Sequence, residues 1–421
     1  MKHTKYSFYR KFVASSRIEA LSKMEHLYLV ILAGGEGTRL FPYSNPERPK
    51  QLCPIGGENW RANTFLKRTI ANYLECGFDR KHIIIVTSSS YQTGQTRFQL
   101  SIPGGIILNN IWEIPSSYGY AGTMVEVTKR LAKIDSEAIV FNTPSDHYLD
   151  TGEEFVEAVF MAVNSAEEGN ISAIGVKTKD VDTIMTCGNI VYDKHKIKDG
   201  VTVSKNFIEK PSRAHARQLA HSDTAICNTG ICVWRAKDLL KYATMPSEGL
   251  TTENLMRAFN GYLRIVIGKF KWQDCGTLRG LYNALDKTEI CHNVMLGDGG
   301  FNLDISCKNS LFYADKGMVL DVRDVVNCAV AFTSINHRPI LVISNLDESQ
   351  KIKELAEHYS EHEKILEEDF SFGARNNEVL YSNMYDSFSV GFVNVENVVV
   401  CIMRRSDSGE LVAEIFKRKH D

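Results

Sequence analysis

Runs of five or six apolar residues recur along the first two thirds of the chain. They alternate with stretches whose apolar positions fall three or four apart. The runs YLVILA (Tyr28–Ala33), HIIIVT (His82–Thr87), AIVFN (Ala138–Asn142) and ISAIGV (Ile171–Val176) predict strands. Between them, Phe65–Leu74, Met124–Ile134 and Glu153–Val163 carry the amphipathic period of helices. Fully apolar strands separated by such helices predict an α/β fold, a mostly parallel twisted sheet covered by helices on both faces. Ligands of such sheets sit beyond the carboxyl ends of the strands, so each strand end is a place to look for chemistry.

After Glu289 the pattern changes to short Val-rich strands. A weak internal repeat aligns Asn309 with Asn377, Tyr313 with Tyr381, Val325 with Val398 and Cys328 with Cys401. Between the copies, Ile352, Leu355, Ala356 and Tyr359 mark one face of a helix, and two copies are too few for a solenoid. The expected organisation is therefore an N-terminal extension (1–26), an α/β domain (27–289) and a small, mainly β domain (290–421) expected to self-associate. The extension has no continuous apolar core of the secretory kind and reads as a flexible arm or an added contact surface.

Composition narrows the class. With 43% hydrophobic and 24% charged residues the chain reads as globular, and no apolar run approaches a membrane span of about 20 residues. A formal net charge of -2 speaks against binding nucleic acid through bulk positive charge. The ten cysteines form no CxxC pair, and Cys227 and Cys232 read as strand residues. That usage suits buried thiols in a reducing cytoplasm rather than a zinc site.

The chemistry begins at LAGGEGTRLFPYSNPERPKQL, from Leu32 to Leu52. It is not a Walker A loop, which needs GK before Ser or Thr. It is not a dinucleotide fingerprint either, because Leu40 stands where the third glycine belongs. A tight turn would explain GG alone. Here, however, Gly34, Gly35 and Gly37 allow close backbone approach, Arg39 and Lys50 add cations, and Pro42, Pro46 and Pro49 stiffen the segment. This GGxGTRL followed by PKQ resembles the sugar-1-phosphate nucleotidyltransferases, most closely the mannose-1-phosphate guanylyltransferases. The resemblance runs over roughly residues 27–360.

The resemblance implies a Rossmann-like sheet of the nucleotide-diphospho-sugar transferase type. It implies a nucleoside triphosphate, GTP by default, bound by Leu32, Ala33, Gly34, Gly35, Gly37, Thr38 and Gly122, with Arg39 and Lys50 acting on the phosphates. TPSDHYL and FKWQDCGT supply Asp146 and Asp274, the aspartates that in the family hold catalytic Mg²⁺. Cys275 reads as packing and His147 as a supporting residue. FIEKPS gives Glu209 and Lys210, and CNTG gives Asn228; with Gly188 they match the family's sugar-phosphate site, with mannose 1-phosphate the default sugar. A single aspartate past a strand is otherwise a turn or helix cap, and an exposed Glu-Lys pair is otherwise a solvated couple.

Two segments depart from the family's pattern. EIPSSYGYAGTMVEV (Glu113–Val127) stands where the family seats its base, and MTCGNI (Met185–Ile190) stands where it borders the sugar. Neighbouring readings therefore stay open: the same chemistry with another base or sugar, or a non-catalytic relative that binds nucleotide sugar. No His-rich, cupin-like metal pattern follows residue 290, so an isomerase activity is not expected.

Overall fold

The computed structural model describes residues 13–56, 63–88, 105–242, 247, 250–252, 254–255, 259, 262–335, 338–363, 380–383, 389–393, 399–405 and 411–417. Two compact units emerge. One joins the chain up to Gly35 with Leu66–Asp274, and the other joins Glu36–Phe65 with the chain from Cys275 onward. A division into separable domains at residue 290 remains a proposal.

The first unit holds β1 (Leu27–Leu32), β2 (Ile83–Ser88), β3 (Ile111–Ile114), β4 (Ile139–Pro144), β5 (His147–Leu149) and β6 (Ile171–Val176). These are followed by β7 (Gly188–Tyr192), β8 (Val201–Glu209), β9 (Ala225–Arg235), β10 (Leu263–Gly268) and β11 (Trp272–Asp274). One sheet has the order β3-β2-β1-β4-β9-β6-β10-β8-β7, and β5 pairs separately with β11. Followed from β1, the ladders run one way except at β8 and β9. The sheet is thus mostly parallel, as its apolar strands predict, but β9 enters antiparallel between β4 and β6. Burial patterns carry no strand direction, so the sequence could not show that insertion.

Side-chain parity explains why both faces are covered. Val30, Ile84, Val86 and Val140 pack with Met124, Val125 and Leu131 of the helix Gly119–Ile134, where Trp234 donates its indole N–H to Thr128 Oγ1 at 3.0 Å. The intervening Phe141 packs edge-on against Tyr73 of the helix Phe65–Glu75 and against Phe78. Tyr73 in turn meets Phe155 of the helix Glu153–Glu167. Of the two readings of the N-terminal extension, a contact surface applies to residues 13–22, which are helical. Leu21 is buried, Arg17 Nη2 lies 3.2 Å from Glu157 Oε1, and the Ile18 carbonyl passes so close to Gly77 that a Cβ there would lie 2.5 Å away.

The second unit is mainly β, as its Val-rich texture predicts. The strands β12 (Val294–Leu296), β14 (Leu311–Ala314) and β16 (Cys328–Ile335) stack in parallel, with Val294 opposite Leu311 and Leu311 opposite Ala329. On a second sheet, β13 (Gly300–Leu303) pairs in parallel with β15 (Met318–Val322). The chain therefore coils from sheet to sheet. Then β17 (Arg338–Asn345) folds back antiparallel on β16, and β18 (Leu380–Asn383) and β19 (Ser389–Val393) extend the first sheet. The last strands, β20 (Val399–Arg405) and β21 (Leu411–Lys417), extend the second. Tyr313 and Tyr381 share a sheet but Cys328 and Cys401 do not, while Asn377 and Val398 lie outside the described residues. The helix Ser349–Glu363 buries Ile352, Leu355, Ala356 and Tyr359, the face its period predicts.

One ion pair of the first unit makes stability depend on pH. His26 Nδ1 lies 2.8 Å from Asp135 Oδ2. The bond to Asp135, and its charge, raise the His26 pKa. Burial pushes Asp135 up, but the bond from His26 and the backbone N–H of Glu137 outweigh it and hold it low. The raised imidazole stabilises the fold fully below its unfolded pKa, and that increment is lost as pH rises through the folded value. The lowered carboxyl contributes above its unfolded pKa and loses its share as pH falls through the folded value. Thermal melts should therefore separate wild type from His26→Gln more at about pH 6 than at about pH 8.5, given an ordinary imidazole pKa near 6.5.

Candidate active site

The first unit gathers its chemistry beyond the carboxyl ends of β1 and β4. From β1 the chain builds outward through β2 and β3, then returns to place β4 on the other flank of β1, making the β1/β4 crevice the point where strand order reverses. Leu32 pairs with Pro144 in register, so Gly34 and Asp146 each follow two residues past that level. The Ser145 N–H donates to the Leu32 carbonyl at 3.1 Å, and the Ala33 N–H donates to the Val86 carbonyl at 2.7 Å. Gly34 rests on the end of β2, where a Cβ would come within 2.9 Å of Ser88 N.

Asp274 arrives from far along the chain. The antiparallel β5–β11 ladder sets it opposite His147, the residue after Asp146. Residues directly opposite in such ladders have Cα atoms roughly 4.5–5.5 Å apart, so the backbone of Asp274 lies beside the residue that follows Asp146. Asp146 is buried and Asp274 half-buried. No cluster of three or more His, Cys, Asp or Glu side chains suited to a metal occurs among the described residues. Two carboxylates fit Mg²⁺ nonetheless, because that ion takes few protein ligands and fills its octahedron with phosphate oxygens and water. They would not suit a structural zinc, which wants four nitrogen or sulfur donors.

The expected sugar residues also converge within this unit. Gly188 sits opposite Glu209 on the β7–β8 ladder, and its neighbour Asn189 sits opposite Cys227 on β9, next to Asn228. Asn228 Oδ1 accepts from the Gly230 N–H at 3.1 Å and so shapes the turn. A Cβ on Gly230 would lie 3.0 Å from Pro144 Cγ, which puts this turn against the strand end leading to Asp146. Lys210 Nζ lies 3.5 Å from Glu209 Oε1, and both side chains are exposed.

The remaining loop residues belong to the second unit. Gly37 has φ +72, a left-handed conformation that suits glycine, and a Cβ there would meet Ser44 Oγ at 2.5 Å and Lys50 Cβ at 2.7 Å. Thr38 and Arg39 lie in the 3-10 turn Thr38–Leu40, and Lys50 begins the turn Lys50–Leu52. The stem of Lys50 is thus folded onto Gly37 within one compact segment.

Residues 28–290 match the nucleotidyl transferase family. The chain belongs to that family. XanB, a xanthan biosynthesis protein of Xanthomonas campestris, is 27% identical over 222 residues, or 52% of this chain and 44% of XanB. AlgA, an alginate biosynthesis protein of Pseudomonas aeruginosa, is 25% identical over 215 residues, 42% of its length. The chain thus spans less than half the length of these two relatives. A mannose-1-phosphate guanylyltransferase of Salmonella muenchen is 23% identical over 381 residues, covering 82% of this chain and 76% of that protein. Among solved structures, one described as mannose-1-phosphate geranyltransferase from Thermus thermophilus aligns with a TM-score of 0.64. It is 21% identical and covers 80% of this chain and 99% of that one, a likeness of fold.

Several supporting residues were not legible in the motifs. The Trp272 indole N–H donates to His147 Nδ1 at 3.1 Å; since indole only donates, the neutral ring carries its proton on Nε2. Tyr120, inside the segment that departs from the family pattern, donates its hydroxyl to the Gly230 carbonyl at 2.8 Å. Asn142 Nδ2 donates to that same hydroxyl at 2.9 Å. Cys275 is fully buried, as packing predicts, and Cys227 and Cys232 lie in β9. Of the nine cysteines whose side chains are described, all but Cys291 are buried, and all nine are free thiols. No helix among the described residues is long and apolar enough to cross a membrane.

Gly122 answers to a packing demand. It lies inside the helix Gly119–Ile134, where a Cβ would fall 1.9 Å from the Ser247 carbonyl oxygen. Backbone cannot yield as a side-chain tip can, so Gly122→Ala should cost about 1–3 kcal/mol, the usual range for overpacking. Urea unfolding in the absence of nucleotide would measure it, and unchanged stability would contradict this packing.

Proposed function

We propose that the protein transfers a nucleoside monophosphate from a nucleoside triphosphate, GTP, to a sugar 1-phosphate, mannose 1-phosphate. The products are a nucleoside diphosphate sugar, GDP-mannose, and pyrophosphate. What carries this reading is the register that sets Gly34 and Asp146 level beyond β1 and β4, with Asp274 opposite His147. The similarity to mannose-1-phosphate guanylyltransferases supports the choice of base and sugar. The buried free thiols suit a cytoplasmic setting.

Charge sets the chemistry. The two substrates are anions that repel each other, and the attacking phosphate oxygen is already ionised at neutral pH. No general base or covalent nucleophile is needed. That oxygen forms a bond to the α-phosphorus as the bond from the α-phosphorus to the bridging oxygen breaks, and pyrophosphate leaves in line. Asp146 and Asp274 would hold Mg²⁺, which when bound supplies positive charge to the phosphates. Arg39 and Lys50 are assigned to the triphosphate and Lys210 to the sugar phosphate. Glu209 is assigned to accept from sugar hydroxyls, and Asn228 to contact the sugar from the turn it shapes. Positioning and charge stabilisation then account for the rate.

The test is pyrophosphate release with each common triphosphate against a panel of sugar 1-phosphates. Release with GTP and mannose 1-phosphate establishes the reading, whereas silence from folded protein across the panel leaves a nucleotide-sugar-binding relative. Asp146→Asn and Asp274→Asn should each lower turnover by at least about 100-fold, the scale on which such charge stabilisation acts. Near-normal turnover in either variant removes that residue from the mechanism. Glu209→Ala should raise the KM for the sugar phosphate and leave that for the triphosphate nearly unchanged.

A further inference from the structure

A half-buried arginine in the second unit ties the segment bearing Arg39 and Lys50 to the β-coil. Arg48 stands two residues before Lys50, in the stretch RPKQ. Its Nε donates to the Tyr43 carbonyl at 2.9 Å. Its guanidinium lies over the Tyr43 ring at 5.5 Å and over the Tyr313 ring of β14 at 5.1 Å. Nη1 is 3.6 Å from Asp315 Oδ1, just past β14. The Tyr313 hydroxyl and Thr333 Oγ1 of β16 both donate to Asp315, which fixes the carboxylate from two strands. The two tyrosine rings meet edge to face, with centroids 4.9 Å apart.

Around this anchor the segment is cross-tied. Asn45 Oδ1 accepts from the N–H groups of Glu47 and Arg48 at 3.0 and 2.9 Å, and its Nδ2 donates to the Pro42 carbonyl at 3.1 Å. Phe41 packs against Tyr359 of the helix Ser349–Glu363 at 5.4 Å. Lys50 is folded onto Gly37, as above, and Gly37 directly precedes the turn that holds Arg39. With its side chain 22% exposed and committed to a carbonyl, two rings and a carboxylate, Arg48 is placed to orient neighbours rather than to meet substrate.

We propose that Arg48, held by Asp315 and Tyr313 of the β-coil, is a positioning residue that orients Lys50 and Arg39 toward the triphosphate. This inference rests on the proposed function. A guanidinium fits the role because its planar fork can reach a carbonyl and a carboxylate at once while it lies over two neighbouring rings. Lysine keeps the charge but has no such fork. The pair is unequal when broken: without Arg48 the carboxylate keeps two hydroxyl donors, whereas without Asp315 a half-buried cation loses its counter-ion.

The test uses the full chain with Arg48→Met, Arg48→Lys, Asp315→Asn and the double variant Arg48→Met/Asp315→Asn. Steady-state pyrophosphate release gives separate KM values for GTP and for mannose 1-phosphate, and thermal melts report folding. Misplaced cations should raise the KM for GTP by about 10-fold or more in Arg48→Met, given that a shift of about 1 Å can cost about 100-fold. The KM for mannose 1-phosphate should stay near its wild-type value. Arg48→Lys should fall in between, and the double variant should be no worse than the worse single one, because the residues act as a unit. An unchanged KM for GTP in folded Arg48→Met overturns the inference, as does a parallel rise of both KM values with loss of melting temperature.

Should wild type release no pyrophosphate with any substrate pair, the proposed function falls. GTP affinity by calorimetry on the same proteins then decides the inference. Weaker binding by Arg48→Met sustains it, whereas equal affinity, or no binding by wild type, overturns it.

Discussion

The alignment of β1 with β4 is the constraint on which the candidate site depends. Both strands are parallel and buried, and their register carries Gly34 and Asp146 out of the sheet at one level. Hydrophobic packing enforces that register. A slip of one residue would move Val30 or Val140 from the face packed by Met124 and Leu131 to the face packed by Tyr73 and Phe155. The core, rather than any polar contact at the site, thus decides where the glycine-rich backbone and the buried carboxylate emerge. Around it, β5 and β11 bring Asp274, and β7, β8 and β9 bring Gly188, Glu209 and Asn228.

The second unit shows how a loop can be cationic and ordered at once. Its segment Glu36–Phe65 carries Arg39 and Lys50 yet clusters with the β-coil, so the boundary between the units falls inside the glycine-rich loop, after Gly35. Aromatic packing of Phe41, Tyr43, Tyr313 and Tyr359 supplies the holding surface. The three prolines that stiffen the segment are one part of its order, and the contacts of Arg48 are the other.

What was legible in the sequence was local. The strand Ile171–Val176 and the start of the helix at Glu153 follow from apolar runs and period alone. Asp146 and Asp274 stood out because each lies in a short motif. What was not legible is long-range. Nothing in the run ICVW says that β9 runs against its neighbours. Nor does the glycine of YGYAG show that Ser247, more than a hundred residues on, passes over Gly122. The N-terminal helix was hidden for the same reason, since its partner Gly77 and the acceptor Glu157 are remote in the chain. Arg48 sat in plain view beside Pro49 and Lys50, but its partners Tyr313 and Asp315 are contributed by β14 and the residue after it, far along the chain.

The strand β9 has a consequence for how such a site changes over time. Its first half carries Asn228 and the turn at Gly230, and its second half pairs with β4 and buries Trp234. Asn228 and Arg235 are seven residues apart on one strand, with the irregularity at Gly230 between them. The inner end is clamped by core packing, so the outer end behaves as a fixed mount for interchangeable tips. With Asn228, Gly188 and Glu209 assigned to the sugar as proposed, replacing Asn228, or the Gly188 and Glu209 on the ladders beside it, would exchange the tool and leave the handle in place. A lineage could on this basis drift from one sugar to another by few substitutions, while the strand ends that carry Gly34 and Asp146 stay where the core sets them.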